Sequence, residues 1–215
     1  MTQPKFQILE MRDSSPQEWL SWWAKRYDEE TDDDREYHEI IRGHHSFSAQ
    51  DFVRLGKWKD GVTTEAQWKP NVAKVAFPIW TEAAERLPKC PEEGSALSFL
   101  EEWSGKAYTD VYKNGPRTKR FGMSRATTLL HFLSGGRYPI YDSRVRTAIA
   151  RLLHQPALPD EVSAYAERFL PIFSELANSC KTDDLRMLDK ALFAYGALDE
   201  RTYLATNPRA HATGL

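Results

Sequence analysis

Phe121-Gly122-Met123-Ser124-Arg125-Ala126-Thr127-Thr128-Leu129-Leu130-His131-Phe132-Leu133 runs on through Ser134-Gly135-Gly136-Arg137 to Tyr138-Pro139-Ile140-Tyr141-Asp142-Ser143-Arg144-Val145. A glycine and a serine stand where a helix should begin, and Leu129, Leu130, Phe132 and Leu133 carry it on, so a helix is predicted over Ser124–Leu133. A glycine turn that opens a helix exposes backbone N–H groups, a natural seat for a phosphate. Gly135-Gly136 punctuates the end of that helix. Pro139 holds the following chain extended, and Asp142 falls at the N-cap of a second helix over Ser143–Leu153.

Positive charge gathers around this stretch. Between Lys113 and Arg151 the basic residues are Lys113, Arg117, Lys119, Arg120, Arg125, Arg137, Arg144, Arg146 and Arg151, against one acid, Asp142. That window carries a formal +8, so the remainder carries −10 in a chain whose total is −2. Segregation of this kind suits a face that binds phosphate while the rest keeps the protein in solution. Charge alone allows a basic surface with no ligand equally well.

Helical periodicity continues on both sides. Ser14-Ser15-Pro16 with Glu18 signals a helix start, and Trp19, Leu20, Trp22, Trp23 and Tyr27 follow. From Asp28 to Glu36 seven of nine residues are acidic, which reads as a solvated turn or helix end. Ser48–Asp51 forms a cap ahead of Phe52, Val53, Leu55 and Lys57-Trp58-Lys59. Further helices are predicted over about Asn71–Leu87, kinked or split at Pro78; around Leu97–Trp103, ended by Gly105; and over Asp160–Ala177 and Asp184–Leu198. No segment shows convincing strand alternation, and the Gly/Pro punctuation at 114–116 and 135–139 frames short helices. The expected class is all-α. One compact unit, residues 1–215, is expected to form two lobes, one from 90–155 and one from 1–89 plus 156–215.

The chain has 215 residues with 41% hydrophobic and 28% charged content, enough to bury a core without disulfides or metals. Its two cysteines, Cys90 and Cys180, lie far apart without a CxxC, which excludes a cysteine-ligated zinc or iron–sulfur site and fits a reducing cytosol. No run approaches the ~20 apolar residues that span a bilayer, and the first residues lack the apolar core of a signal peptide. His44-His45 point apart on a helix and no further ligand is spaced to join them. The expectation is a cytoplasmic monomer with no metal and no cofactor.

A helix opened by a glycine hairpin, a short loop, an apolar-Pro-apolar stretch and an Asp before the next helix resembles the helix-hairpin-helix DNA glycosylase superfamily. Similarity is greatest to the eight-oxoguanine-glycosylase-like branch of bacterial proteins. Phe121–Leu133 resembles the second half of the hairpin motif, and Tyr138–Val145 the segment with the catalytic aspartate, with Tyr141 as one extra residue before Asp142. Trp58-Lys59 and Met187–Gly196 fit the same branch. The strong part of the resemblance covers about thirty residues.

The resemblance implies a two-lobed helical fold that binds double-stranded DNA, flips a modified or damaged base into a pocket and excises it. Asp142 would stabilise the positive charge that develops on the sugar as the base leaves, which a fixed carboxylate in a water-poor site does well. The phosphate contacts would be Gly122, Ser124 and Arg125, with Lys119, Arg120 and Arg144, while Lys57 and Trp58 would serve as a stacking element beside the groove. Members that also cut the strand carry a lysine at the start of the hairpin's second helix, where this chain has Ser124 and Arg125. Arginine stays protonated and cannot attack the sugar, and Lys119 lies one or two turns earlier. A hydrolase that leaves an abasic site is therefore expected. DNA repair and defence against modified phage DNA are both settings the resemblance implies.

Plainer roles stand beside these. Asp is a preferred N-cap without any catalysis, Trp58 suits a core with solvated lysines beside it, His131 a helix face, and Asp189 a structural salt bridge to the basic segment. Two other functions compete: a non-catalytic nucleic-acid-binding protein that keeps the helix-hairpin-helix, and an all-α interaction module whose basic face meets an acidic partner.

Overall fold

The computed structural model describes residues 15–30, 34–42, 54–55, 58, 93–105, 107–112, 115–120 and 122–198, with the strands described by their backbone alone. The helix expected over Asn71–Leu87, the cap at Ser48–Asp51, His44-His45, Lys57, Lys59, Cys90 and Lys113 lie outside the described residues. In chain order the elements are α1 (Pro16–Glu30), α2 (Asp34–Arg42), α3 (Glu93–Ser104), β1 (Ala107–Tyr112), β2 (Gly115–Arg120), α4 (Met123–Leu133), α5 (Ser143–Leu153), α6 (Val162–Ala164), a π-helical turn (Tyr165–Phe169), α7 (Leu170–Cys180) and α8 (Leu185–Gly196). The helical class is as expected. Among the described residues no helix is long and apolar enough to cross a membrane.

One departure is the antiparallel hairpin of β1 and β2, paired from Ala107↔Arg120 to Tyr112↔Gly115. Gly115-Pro116-Arg117-Thr118-Lys119-Arg120 has no apolar alternation, so periodicity gives no strand there. The local signal was the turn-forming run Asn114-Gly115-Pro116, which lies where β2 begins, with Gly115 paired to Tyr112, and not at a break between helices.

The chain divides into two compact units, changing from one to the other after Glu30, Tyr141, Pro159 and Leu170. This differs from the lobes expected over 90–155 and over 1–89 plus 156–215. The helix after Asp142 joins the first and last helices, and α2 joins the middle of the chain.

In the first unit α8 packs against both α1 and α5. Ser15 and Glu18 close the start of α1 as a capping box: the Ser15 hydroxyl accepts from the Glu18 amide at 3.2 Å, and the Ser15 amide donates to Glu18 Oε2 at 2.7 Å. These bonds, the backbone one foremost, lower the pKa of the Glu18 carboxyl. Trp19 and Trp23 meet Tyr195 edge to face, and Tyr27 meets Phe193. Arg186 donates to Asp189 at 2.7 Å and to the Tyr27 hydroxyl at 3.0 Å, and Lys190 reaches Asp28 at 2.8 Å. Buried charges need such partners. Asp189 thus has a structural role, but its ion pair is with Arg186 of the same helix and not with the basic segment.

On the α5 side Val145, Ala148, Ile149 and Leu152 are buried. Gly196 ends α8 so close to α5 that a Cβ there would overlap the Arg144 carbonyl. Arg151 donates to the carbonyls of Tyr195 and Leu198 at 3.1 and 3.0 Å, tying off the end of α8.

In the second unit α4 is the core helix, with Met123, Ala126 and every residue from Thr127 to Phe132 buried. α3 packs on it, bringing Ala96, Phe99, Leu100 and Trp103, and α2 adds Tyr37 and Ile40.

Candidate functional site

The sequence-derived site residues fall in both units. Gly122, Ser124 and Arg125, with Lys119, Arg120 and Trp58, belong to the second; Asp142 and Arg144 belong to the first.

At the start of α4, Gly122 has extended backbone (φ −80, ψ 171) and gives no side-chain cap. Its carbonyl accepts from the amides of Arg125 and Ala126, both at 3.1 Å. Ser124 and Arg125 are half-buried. Asp160 already stands beside this turn, since a Cβ on Gly122 would lie 3.5 Å from Asp160 Oδ2. Lys119 and Arg120 are at the end of β2, opposite Tyr108 and Ala107. A strand therefore enters the turn at Gly122 where a helix-hairpin-helix has a helix.

The end of α4 is closed by backbone bonds, to which the Ser134 hydroxyl adds one, donating to the His131 carbonyl at 3.1 Å. Gly135 and Gly136 both have positive φ (64 and 90), and their amides donate to the carbonyls of Phe132 and His131 at 3.2 and 2.8 Å. This is the Schellman arrangement, which glycine enters without strain. The chain from Tyr138 to Tyr141 is then strapped down by side chains of the same unit. His131 Nδ1 lies 2.7 Å from the Tyr138 carbonyl, which can only accept, so Nδ1 carries the proton. In the neutral ring Nε2 then accepts from the Tyr37 hydroxyl at 2.9 Å. Thr127 Oγ1 donates to Met123 O at 2.8 Å and accepts from the Tyr141 amide at 2.9 Å. Tyr165 donates to Pro139 O at 3.1 Å, and its ring and that of Phe169 pack against Tyr141. Burial drives the Tyr165 phenol well above its ordinary pKa. The π-helical turn fits this role, since it brings Tyr165 and Phe169 together as a stacked pair at 5.4 Å.

Asp142 follows this strap and begins α5. Its Oδ1 accepts from the Val145 amide at 2.9 Å, and the residue is 6% exposed. The predicted N-cap is therefore present in full, on a helix whose bounds match the sequence reading. Arg144, in the first turn of α5, is exposed, and its guanidinium lies 4.5 Å from the centre of the Phe193 ring. Arg146 donates to Leu158 O at 3.0 Å and Arg151 to α8, so these two basic residues have structural partners.

Trp58 is half-buried, meeting Phe132 edge to face at 5.2 Å and Tyr37 at 5.8 Å. The core role weighed for it accounts for these contacts. Sequence reasoning missed Thr127, Tyr165 and Phe193. Thr127-Thr128 in an apolar helix was a usable signal, because a buried hydroxyl needs partners. Tyr165 and Phe193 sit at ordinary apolar positions with nothing local to mark them.

No family model matches the chain, and no curated protein and no solved structure matches it.

Proposed function

We propose that this protein is a monofunctional DNA N-glycosylase that flips a modified or damaged base out of double-stranded DNA and excises it. The observation that carries the reading is Asp142: a carboxylate 6% exposed, held by the amide of Val145 at the first turn of α5. A buried, immobile negative charge is what an oxocarbenium-like sugar requires, because it stabilises the charged transition state more than the neutral substrate. The bond from the sugar C1′ to the base nitrogen breaks, water adds its oxygen to C1′, and the base leaves with a proton from that water. An abasic site remains.

Arg144 contacts a backbone phosphate; in the other unit Arg125 and the Gly122–Arg125 amides do the same, and Lys119 and Arg120 add charge beside them. Ser124 and Arg125 at the head of α4 offer no deprotonatable amine, so no Schiff base forms and the strand is not cut. The protein acts as a monomer in the cytoplasm, in repair or in defence against modified phage DNA.

Two observations favour a second reading. Capping α5 is a sufficient occupation for Asp142, and β2 stands where the motif's first helix belongs, as in a nucleic-acid-binding protein that has lost the chemistry. Asp142→Asn separates the two, because asparagine still caps. Damaged DNA and modified phage DNA are incubated with each protein, and released bases are identified by mass spectrometry. Wild type releases a base and Asp142→Asn loses at least ~100-fold in rate while binding duplex DNA unchanged. Release at equal rates by both proteins, or by neither, removes the catalytic role.

A further inference from the structure

Phe193 is half-buried on α8, one face of its environment taken by Tyr27 of α1 at 5.5 Å. Over the ring lies the Arg144 guanidinium, 4.5 Å from its centre, although Arg144 is exposed. An exposed arginine normally samples many rotamers, and stacking on an aromatic face selects among them. A contact of this kind engages the charge of the guanidinium and uses none of its N–H hydrogen bonds, so the donors keep their capacity to bond. Those donors are the ones that grip a phosphate bidentately. No hydrogen-bond partner for the Arg144 side chain occurs among the described residues.

The backbone beneath Arg144 is equally well held. Gly196 approaches the Arg144 carbonyl so closely that no side chain fits, and Arg151 from the other end of α5 binds the carbonyls of Tyr195 and Leu198. The last turn of α8 therefore fixes both the main chain and the side-chain direction of one exposed cation.

We propose that Phe193 is a positioning residue that presents Arg144 to a DNA backbone phosphate, with the end of α8 as its platform. The inference rests on the reading that this protein binds duplex DNA, and does not need base excision. It makes Met187–Gly196 part of the DNA-binding apparatus without touching DNA. Leucine at 193 preserves bulk but has no π face; tyrosine preserves the face.

Binding of a labelled, undamaged duplex is measured by fluorescence anisotropy over a salt series for wild type, Phe193→Leu, Phe193→Tyr, Arg144→Ala and Arg144→Ala/Phe193→Leu. Phe193→Leu is expected to bind about two- to fivefold more weakly, the size of an exposed cation–π contact. Phe193→Tyr should bind as wild type does. Arg144→Ala should lower the salt slope by about 1, and in that background Phe193→Leu should add nothing. A thermal melt of each variant accompanies the titration, and a loss of affinity repeated in the Arg144→Ala background marks Phe193 as merely structural and overturns the proposal. So does a Phe193→Leu protein that binds like wild type. If wild type binds but Arg144→Ala is indifferent, the positioning role falls and DNA binding stands; if wild type shows no salt-dependent binding, both fall.

Discussion

The two helices that begin within the basic segment start in opposite ways. α5 opens on Asp142, whose own carboxylate closes the turn on the Val145 amide, and its backbone is pressed against Gly196 of α8. α4 opens on Gly122, which has no side chain to close anything. What holds α4 lies further along: Thr127 and Thr128 bond back to the Met123 and Ser124 carbonyls, and His131 bridges Tyr37 and Tyr138. A helix end fixed by its own cap is rigid whether or not a ligand is present. At the head of α4 the Gly122 carbonyl accepts from the Arg125 and Ala126 amides, and the stability of that end comes from the buried remainder of the helix. The contrast is between a helix start fixed by its own side chain and one fixed by the body of its helix.

The largest effect should come from Gly196→Ala. The added methyl meets the Arg144 backbone, which cannot move aside as a side chain could, and the expected loss is about 3 kcal/mol. Chemical denaturation measures it, and a change below about 1 kcal/mol would mean that the cap alone positions the start of α5. Asp142→Ala comes next, with a loss of about 1–2 kcal/mol from the missing cap. Asp142→Asn should stay within about 0.5 kcal/mol of wild type, which is what makes it a clean probe of chemistry. Smallest is Gly122→Ser, which gives α4 the cap that it lacks. A Cβ there meets only Asp160 Oδ2 at an ordinary 3.5 Å, and the φ of −80 suits any residue. A gain of a few tenths of a kcal/mol is expected in the same denaturation assay. A loss instead would show that the open end is itself a requirement of the fold.

Much of the local structure was open to reading from the sequence. Ser15, Pro16 and Glu18 announced α1, Asp142 announced α5, and Gly135-Gly136 announced the end of α4, because caps and stops act through neighbours within a few residues. Asp184 likewise caps α8, accepting from the Met187 amide at 3.0 Å. The helix expected over Asp160–Ala177 was right in kind but not in detail: it divides into α6, a π-helical turn and α7. Tyr165 to Phe169 carries no proline or glycine to mark that turn. The hairpin was missed for a different reason. β2 is a polar strand, and the pairing that makes it a strand lies in β1.

The candidate site divides along the same line. Local chemistry on its own determined the carboxylate at the head of α5, the glycine at the head of α4 and the concentration of positive charge between 113 and 151. Each depends on residue type and short spacing, which a sequence states directly. Tertiary structure alone decided that Arg146 and Arg151 are spent on carbonyls while Arg144 stands over Phe193 in solvent. It alone decided that Thr127 holds Tyr141, that Asp160 lies beside Gly122, and that Gly196 admits the backbone of Arg144. These contacts join residues from 12 to 52 positions apart. No period or motif encodes which distant side chain will meet a given helix, because packing selects the partner by shape once both elements exist.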